Sequence, residues 1–180
     1  MSSAADGASC DSSAWAGGRC IDLPVPPAPS ANYLPYVHTG NVIQVAGVAP
    51  KRNGRYAFRG KLGDNLSLQK GYDAARLCAL NALALLKEAG GGSLDHIERV
   101  VMVRGFVNAT ADFLAVPQVI DGASDLLVEV LGASVGRHAR TSVGCATLPA
   151  GVAVEIDVLA AVVPTSTNPG EPTVPAYSWL

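Results

Sequence analysis

The sequence predicts an α+β domain: a two-layer sandwich in which two helices cover one face of a mixed sheet of about six strands. One long Ala/Leu-rich segment carries helical periodicity, a second is bounded by Pro117 and Gly132, and β-rich apolar runs of strand length flank them. Hydrophobic residues make up 49% of the 180 positions and charged residues 16%, enough apolar material for one core. That core is expected over residues 31–163, between a flexible lead, 1–30, and a Pro-rich tail, 164–180.

Along the chain, "NVIQVAGV" (Asn41 to Val48) reads as the first substantial strand. "KRNGRYAFRG" follows, with Asn53-Gly54 as a hairpin turn signal. Ser67 can cap a helix that runs to about Ala89, since Tyr72, Ala75, Ala79, Leu83 and Leu86 recur at three- and four-residue steps. Gly90-Gly91-Gly92 ends it. "IERVVMVRGFVN" (Ile97 to Asn108) is apolar enough for the middle of a sheet. A second helix should start near Pro117 and stop at Gly132. "RTSVGCATL" and "VAVEIDVLAAVV" are the closing strands, the latter with Val152, Val154, Ile156 and Val158 on one side. Arg104 and Asp157 are candidates for a cross-strand pair. With two helices on one face, the other face lacks cover, which points to a partner subunit.

Composition excludes several function classes. A net charge of −2 and no Lys/Arg cluster leave no footprint for nucleic acid. Cys10, Cys20, Cys78 and Cys145 form no C-x-x-C pair and His38, His96 and His138 are scattered, so no metal is expected. Cys78 falls inside a helical pattern and reads as a small core residue, whereas Cys10 and Cys20 could pair only in an oxidising compartment. The N-terminus lacks the pattern of a signal peptide, and the apolar runs are too short to span a bilayer, so a cytoplasmic protein is expected. Trp15 and Trp179 both lie in the tails, where either could dock on a neighbouring surface or stay exposed.

The chemistry concentrates in "GRHARTSVGCATLPAGVAVEIDV", Gly136 to Val158. An Ala-Arg-Thr at a strand start, then Leu-Pro, a turn and an alternating strand with a central Glu resembles the signature of the RidA/YjgF family. The match extends upstream through "GNVIQVAG", "AARLCALNALALLKEAGG" and "ERVVMVRGFVNATADF", covering about Tyr33 to Val163. The resemblance implies a chorismate mutase-like fold and a homotrimer with sites in clefts between subunits. It also implies cofactor-independent hydrolysis of 2-imino or enamino acids to 2-keto acids and ammonia. Arg140 would take the substrate carboxylate and Glu155 would position the attacking water. Tyr36 and Gly47 would line the pocket, with Tyr33 competing for the place of Tyr36, and main-chain groups near Gly144 and Cys145 would help hold the ligand.

The residue types suit that chemistry. An arginine fork offers two parallel charge-assisted bonds to a carboxylate, and a partly buried Glu can manage a proton. Taken alone, Arg140 in "HAR" reads as a salt-bridge residue, and Glu155 as a solvated strand residue; the surrounding signature lifts both. Arg137 and His138 read as loop or interface residues. The reading requires the Arg140 guanidinium to be available, neither consumed by an internal ion pair nor directed to bulk water. Where many deaminating members carry Ser-Gly-Gln, this chain has Ala46-Gly47-Val48, and Pro117 stands where many have Asn. A less polar wall suits a bulkier, pathway-specific intermediate. A trimer that only binds a small carboxylate is a further alternative.

Overall fold

The computed structural model describes residues 21–163. The lead up to residue 20, the tail from residue 164, both tryptophans, Cys10 and Cys20 lie outside the described residues.

Among the described residues four strands come first: β1 (Tyr36–Thr39), β2 (Val42–Val48), β3 (Lys51–Arg52) and β4 (Arg55–Tyr56). Helix α1 (Leu68–Ala89), strand β5 (Ile97–Asn108) and helix α2 (Val116–Gly136) follow. Strand β6 (Ala139–Cys145), a 3-10 turn at Pro149–Gly151 and strand β7 (Val154–Val162) complete the domain. The main sheet has five strands in the order β1-β2-β7-β5-β6, and β3 with β4 makes a separate two-stranded ribbon. The expected sheet of about six strands is thus seven strands in two pieces. The ribbon turns at Asn53 and Gly54, both at positive φ, as the Asn-Gly signal predicts.

Helix α1 forms where its periodicity places it. The Ser67 side chain accepts the Lys70 backbone N–H at 3.3 Å, and the Gly90 N–H closes the last turn on the Leu86 carbonyl. Ala75, Ala79, Leu83 and Leu86 are fully buried, while Tyr72 sits at the margin and donates its hydroxyl to Asp125 of α2. Helix α2 starts with Pro117 in its first turn. At Gly132 the backbone leaves helical geometry (φ 75°), which only glycine adopts at little cost, and a short further stretch reaches Gly136. The expected stop is therefore a break inside the element.

Strands β5 and β7 occupy the middle of the sheet; both helices pack on one face of it. Val100, Val103 and Val107 of β5 and Val154, Ile156, Val158 and Ala160 of β7 meet α1 and α2 in one core. Strand β6 joins β5 in parallel through the α2 crossover and forms one edge of the sheet. The opposite face carries Glu155, Asp157 and Leu159, with Arg104 donating to Asp157 at 2.8 Å in the expected cross-strand pair. No helix among the described residues is long and apolar enough to cross a membrane.

Candidate functional site

Arg140 and Glu155 fall on opposite sides of one sheet. Arg140 is in register with Val103 of β5, which in turn faces Val158 of β7, and both valines point into the core under the helices. Glu155 alternates with the buried Val154 and Ile156 and so projects from the uncovered face. Within one chain the two side chains cannot converge.

Glu155 stands at a cleft of about 390 Å³ whose walls include Tyr33, Pro35, Ala46, Gly47, Val48 and Leu85. The chain before β1 closes it. Lys51 donates to the Ser30 hydroxyl at 2.9 Å and to the Ala28 carbonyl at 3.3 Å, and Ser30 shares a 3.0 Å bond with the Tyr56 hydroxyl. Gly47 makes room for the carboxylate, because a methyl group there would fall onto Glu155 Oε1. Burial, and then the nearby charge of Asp157, raise the Glu155 carboxyl above the usual carboxylate range. Such a group can carry a proton nearer to neutrality than an exposed glutamate can.

Arg140 is half-buried against α2. Its Nη1 donates to Asp121 Oδ1 at 2.7 Å and to Ser124 Oγ at 3.0 Å. The guanidinium is thus engaged in an internal ion pair, against the expectation of an uncommitted side chain. Nε and Nη2, however, have no hydrogen-bond partner among the described residues. Ser124 continues the network to His138 Nε2 at 3.1 Å, and His138 Nδ1 lies 2.7 Å from the Gly136 carbonyl. That carbonyl can only accept, so Nδ1 carries the proton. Desolvation, assisted by the Arg140 charge, lowers the His138 pKa and favours the neutral ring, although the Gly136 bond opposes this.

The other expected site residues disperse. Tyr36 is buried, with its hydroxyl donating to Glu88 at 3.2 Å, and Tyr33 takes the place beside the Glu155 cleft. Gly47 is in that cleft, whereas Gly144 and Cys145 line a second one, of about 640 Å³, with Lys61, Thr110 and Phe113. Sequence reading passed over Asp121 and Ser124, and placed His138 in a loop or interface. Their signal was Asp121 and Ser124 three apart on one helix and His138 and Arg140 two apart at a strand start. Ser142, two residues beyond Arg140 on the same strand, keeps a buried hydroxyl without a partner among the described residues.

Residues 13–161 match the family model described as "YjgF/chorismate_mutase-like, putative endoribonuclease". The chain belongs to the YjgF/RidA family. Among YjgF/RidA-like relatives, protein TCP17 of Trypanosoma cruzi is 44% identical over 139 residues, which is 77% of this chain and 86% of that protein. The crystal structure of Atu1372 from Agrobacterium tumefaciens, of unknown function, is 40% identical with a TM-score of 0.74 over 79% of this chain and 87% of that one. A structure from Shewanella oneidensis, described as a "putative endoribonuclease", is 33% identical with a TM-score of 0.75 over 79% and 93% of the two chains. The YjgF/RidA scaffold of two helices on a mixed sheet is therefore shared with these two solved structures.

Proposed function

We propose that this chain is a cofactor-independent deaminase that hydrolyses a 2-imino or enamino acid to a 2-keto acid and ammonia in a homotrimer. The observation that carries the reading is Glu155, a half-buried carboxyl of raised proton affinity set over Gly47 in the wall of a cleft. In this reading Arg140 of one subunit holds the substrate carboxylate with its Nε and Nη2 edge, and a second copy presents Glu155. The opposite-face placement of the two residues supports an interface site, since a second copy is the simplest way to bring them together.

Glu155 as carboxylate takes a proton from water while the oxygen bonds to the imine carbon. Glu155 passes that proton to the nitrogen, and the resulting carbinolamine collapses to C=O as its hydroxyl proton moves to the nitrogen and ammonia leaves. One water is consumed, and Glu155 is again a carboxylate. Arg140 contributes orientation, because two parallel N–H groups fix a planar carboxylate as well as bind it.

Turnover of 2-iminobutyrate generated in situ tests the reading. The intact protein should exceed the buffer rate, Arg140→Ala should abolish the excess, and Glu155→Gln should lower kcat. No acceleration on 2-iminopropionate or 2-iminobutyrate would overturn deamination of small imino acids. The apolar walls of the Glu155 cleft, from Tyr33, Pro35, Ala46, Val48 and Leu85, favour a second reading: an enzyme on the same scaffold that acts on a bulkier carboxylate intermediate.

A further inference from the structure

We infer that Asp121, Ser124 and His138 are positioning residues that aim Arg140, holding one end of its guanidinium so that the other edge faces a carboxylate. The inference rests on the reading of Arg140 as the carboxylate holder.

Helix α2 brings Asp121 and Ser124, one turn apart, against the start of β6, where Arg140 on the strand and His138 just before it lie two residues apart and both reach Ser124. Both bonds from Arg140 leave from Nη1. A guanidinium consumed structurally would be expected to engage Asp121 through a two-bond fork; here Asp121 takes one bond and keeps 46% of its side chain exposed. The Nε and Nη2 edge offers two parallel N–H groups, and it is the edge without partners among the described residues.

The direction of every bond in the array follows from its far end. The Gly136 carbonyl fixes the His138 proton on Nδ1, which leaves Nε2 as an acceptor. Ser124 must then donate its proton to Nε2, and its lone pairs turn towards the Arg140 N–H. A long, rotamer-rich side chain is thereby ordered before any ligand arrives, which removes part of the cost of binding. Asp121 neutralises part of the arginine charge, so the array trades some attraction for aim.

Titration of the full-length chain with 2-ketobutyrate, followed by calorimetry and melting temperature, tests this. Arg140→Ala should lose binding. Ser124→Ala and Asp121→Ala should weaken it about tenfold, the loss of one charge-assisted hydrogen bond. Asp121→Asn, which keeps an acceptor at Oδ1, should stay within about threefold of the parent, and Ser124→Thr should restore most of what Ser124→Ala loses. Binding unchanged in Ser124→Ala and Asp121→Ala, with Arg140→Ala defective, would overturn the positioning role and leave the clamp intact. Tighter binding in both Asp121 variants would instead make Asp121 a competitor that masks Arg140, and would overturn it too. Normal binding by Arg140→Ala would sink the clamp and the array together. Asp121→Asn is nearly isosteric, so it remains informative if an alanine variant fails to fold.

Discussion

Replacing Gly47 with alanine should separate the stability of this domain from its chemistry. An ideal Cβ at position 47 lies 3.1 Å from Glu155 Cδ and closer still to Oε1, so the carboxylate must retreat by about an ångström to reach ordinary contact. The obstacle is the far end of a flexible side chain. Accommodation should therefore cost about 0.5–1.5 kcal/mol of rotamer strain. Gly47 has no positive φ, so alanine also gains about 0.4–1 kcal/mol from the smaller entropy of the unfolded chain. The two effects nearly cancel, and urea unfolding should place the variant within about 1 kcal/mol of the parent. Turnover of 2-iminobutyrate should instead fall about 100-fold, the penalty for displacing a reacting group by an ångström. A loss above about 3 kcal/mol in the urea unfolding free energy would refute the geometry, because it would mean the methyl meets something that cannot move. Unchanged turnover would refute a role for the Glu155 carboxylate where it stands.

Three further outcomes can be checked. The folded-state pKa of Glu155 is raised, so its charged form costs stability above the unfolded carboxylate range of about pH 4.3 and costs nothing well below it; Glu155→Gln should raise the melting temperature at pH 7 and leave it unchanged near pH 3. Removing the cation beside Asp157 with Arg104→Ala should push the Glu155 carboxyl up further, seen as an alkaline shift of the acidic limb of the pH–rate profile, while thermal unfolding changes by no more than about 1 kcal/mol. A methyl at Gly105 would meet Ile120 side-chain carbons at 2.5–2.9 Å inside the core, so Gly105→Ala should cost about 1–3 kcal/mol in denaturant unfolding.

The elements that sequence reading located well are those whose signals are local. Ser67 at the cap, buried residues at helical spacing and a glycine run fix α1 without reference to the rest of the chain. Asn53-Gly54 fixes its own hairpin. The strand order is a different matter, because β7 enters between β2 and β5 only once the whole chain is present. The site shows the same division. Arg140 and Glu155 stand out through the motif around them, but the contacts of Asp121 and Ser124 with Arg140, 19 and 16 residues apart in sequence, arise when the crossover lays α2 beside β6. Tyr36 and Tyr33 differ by three positions, and only the packing of β1 against α1 decides which is buried.

A sheet with its acid on one side and its arginine on the other behaves like a coin whose two faces never see each other. If both are needed for one reaction, two crippled chains should repair one another. Mixing Arg140→Ala with Glu155→Gln and allowing subunits to exchange would recreate an intact pairing at about one site in four, so inactive preparations would regain activity on combination. Dilution below the assembly threshold would erase it again.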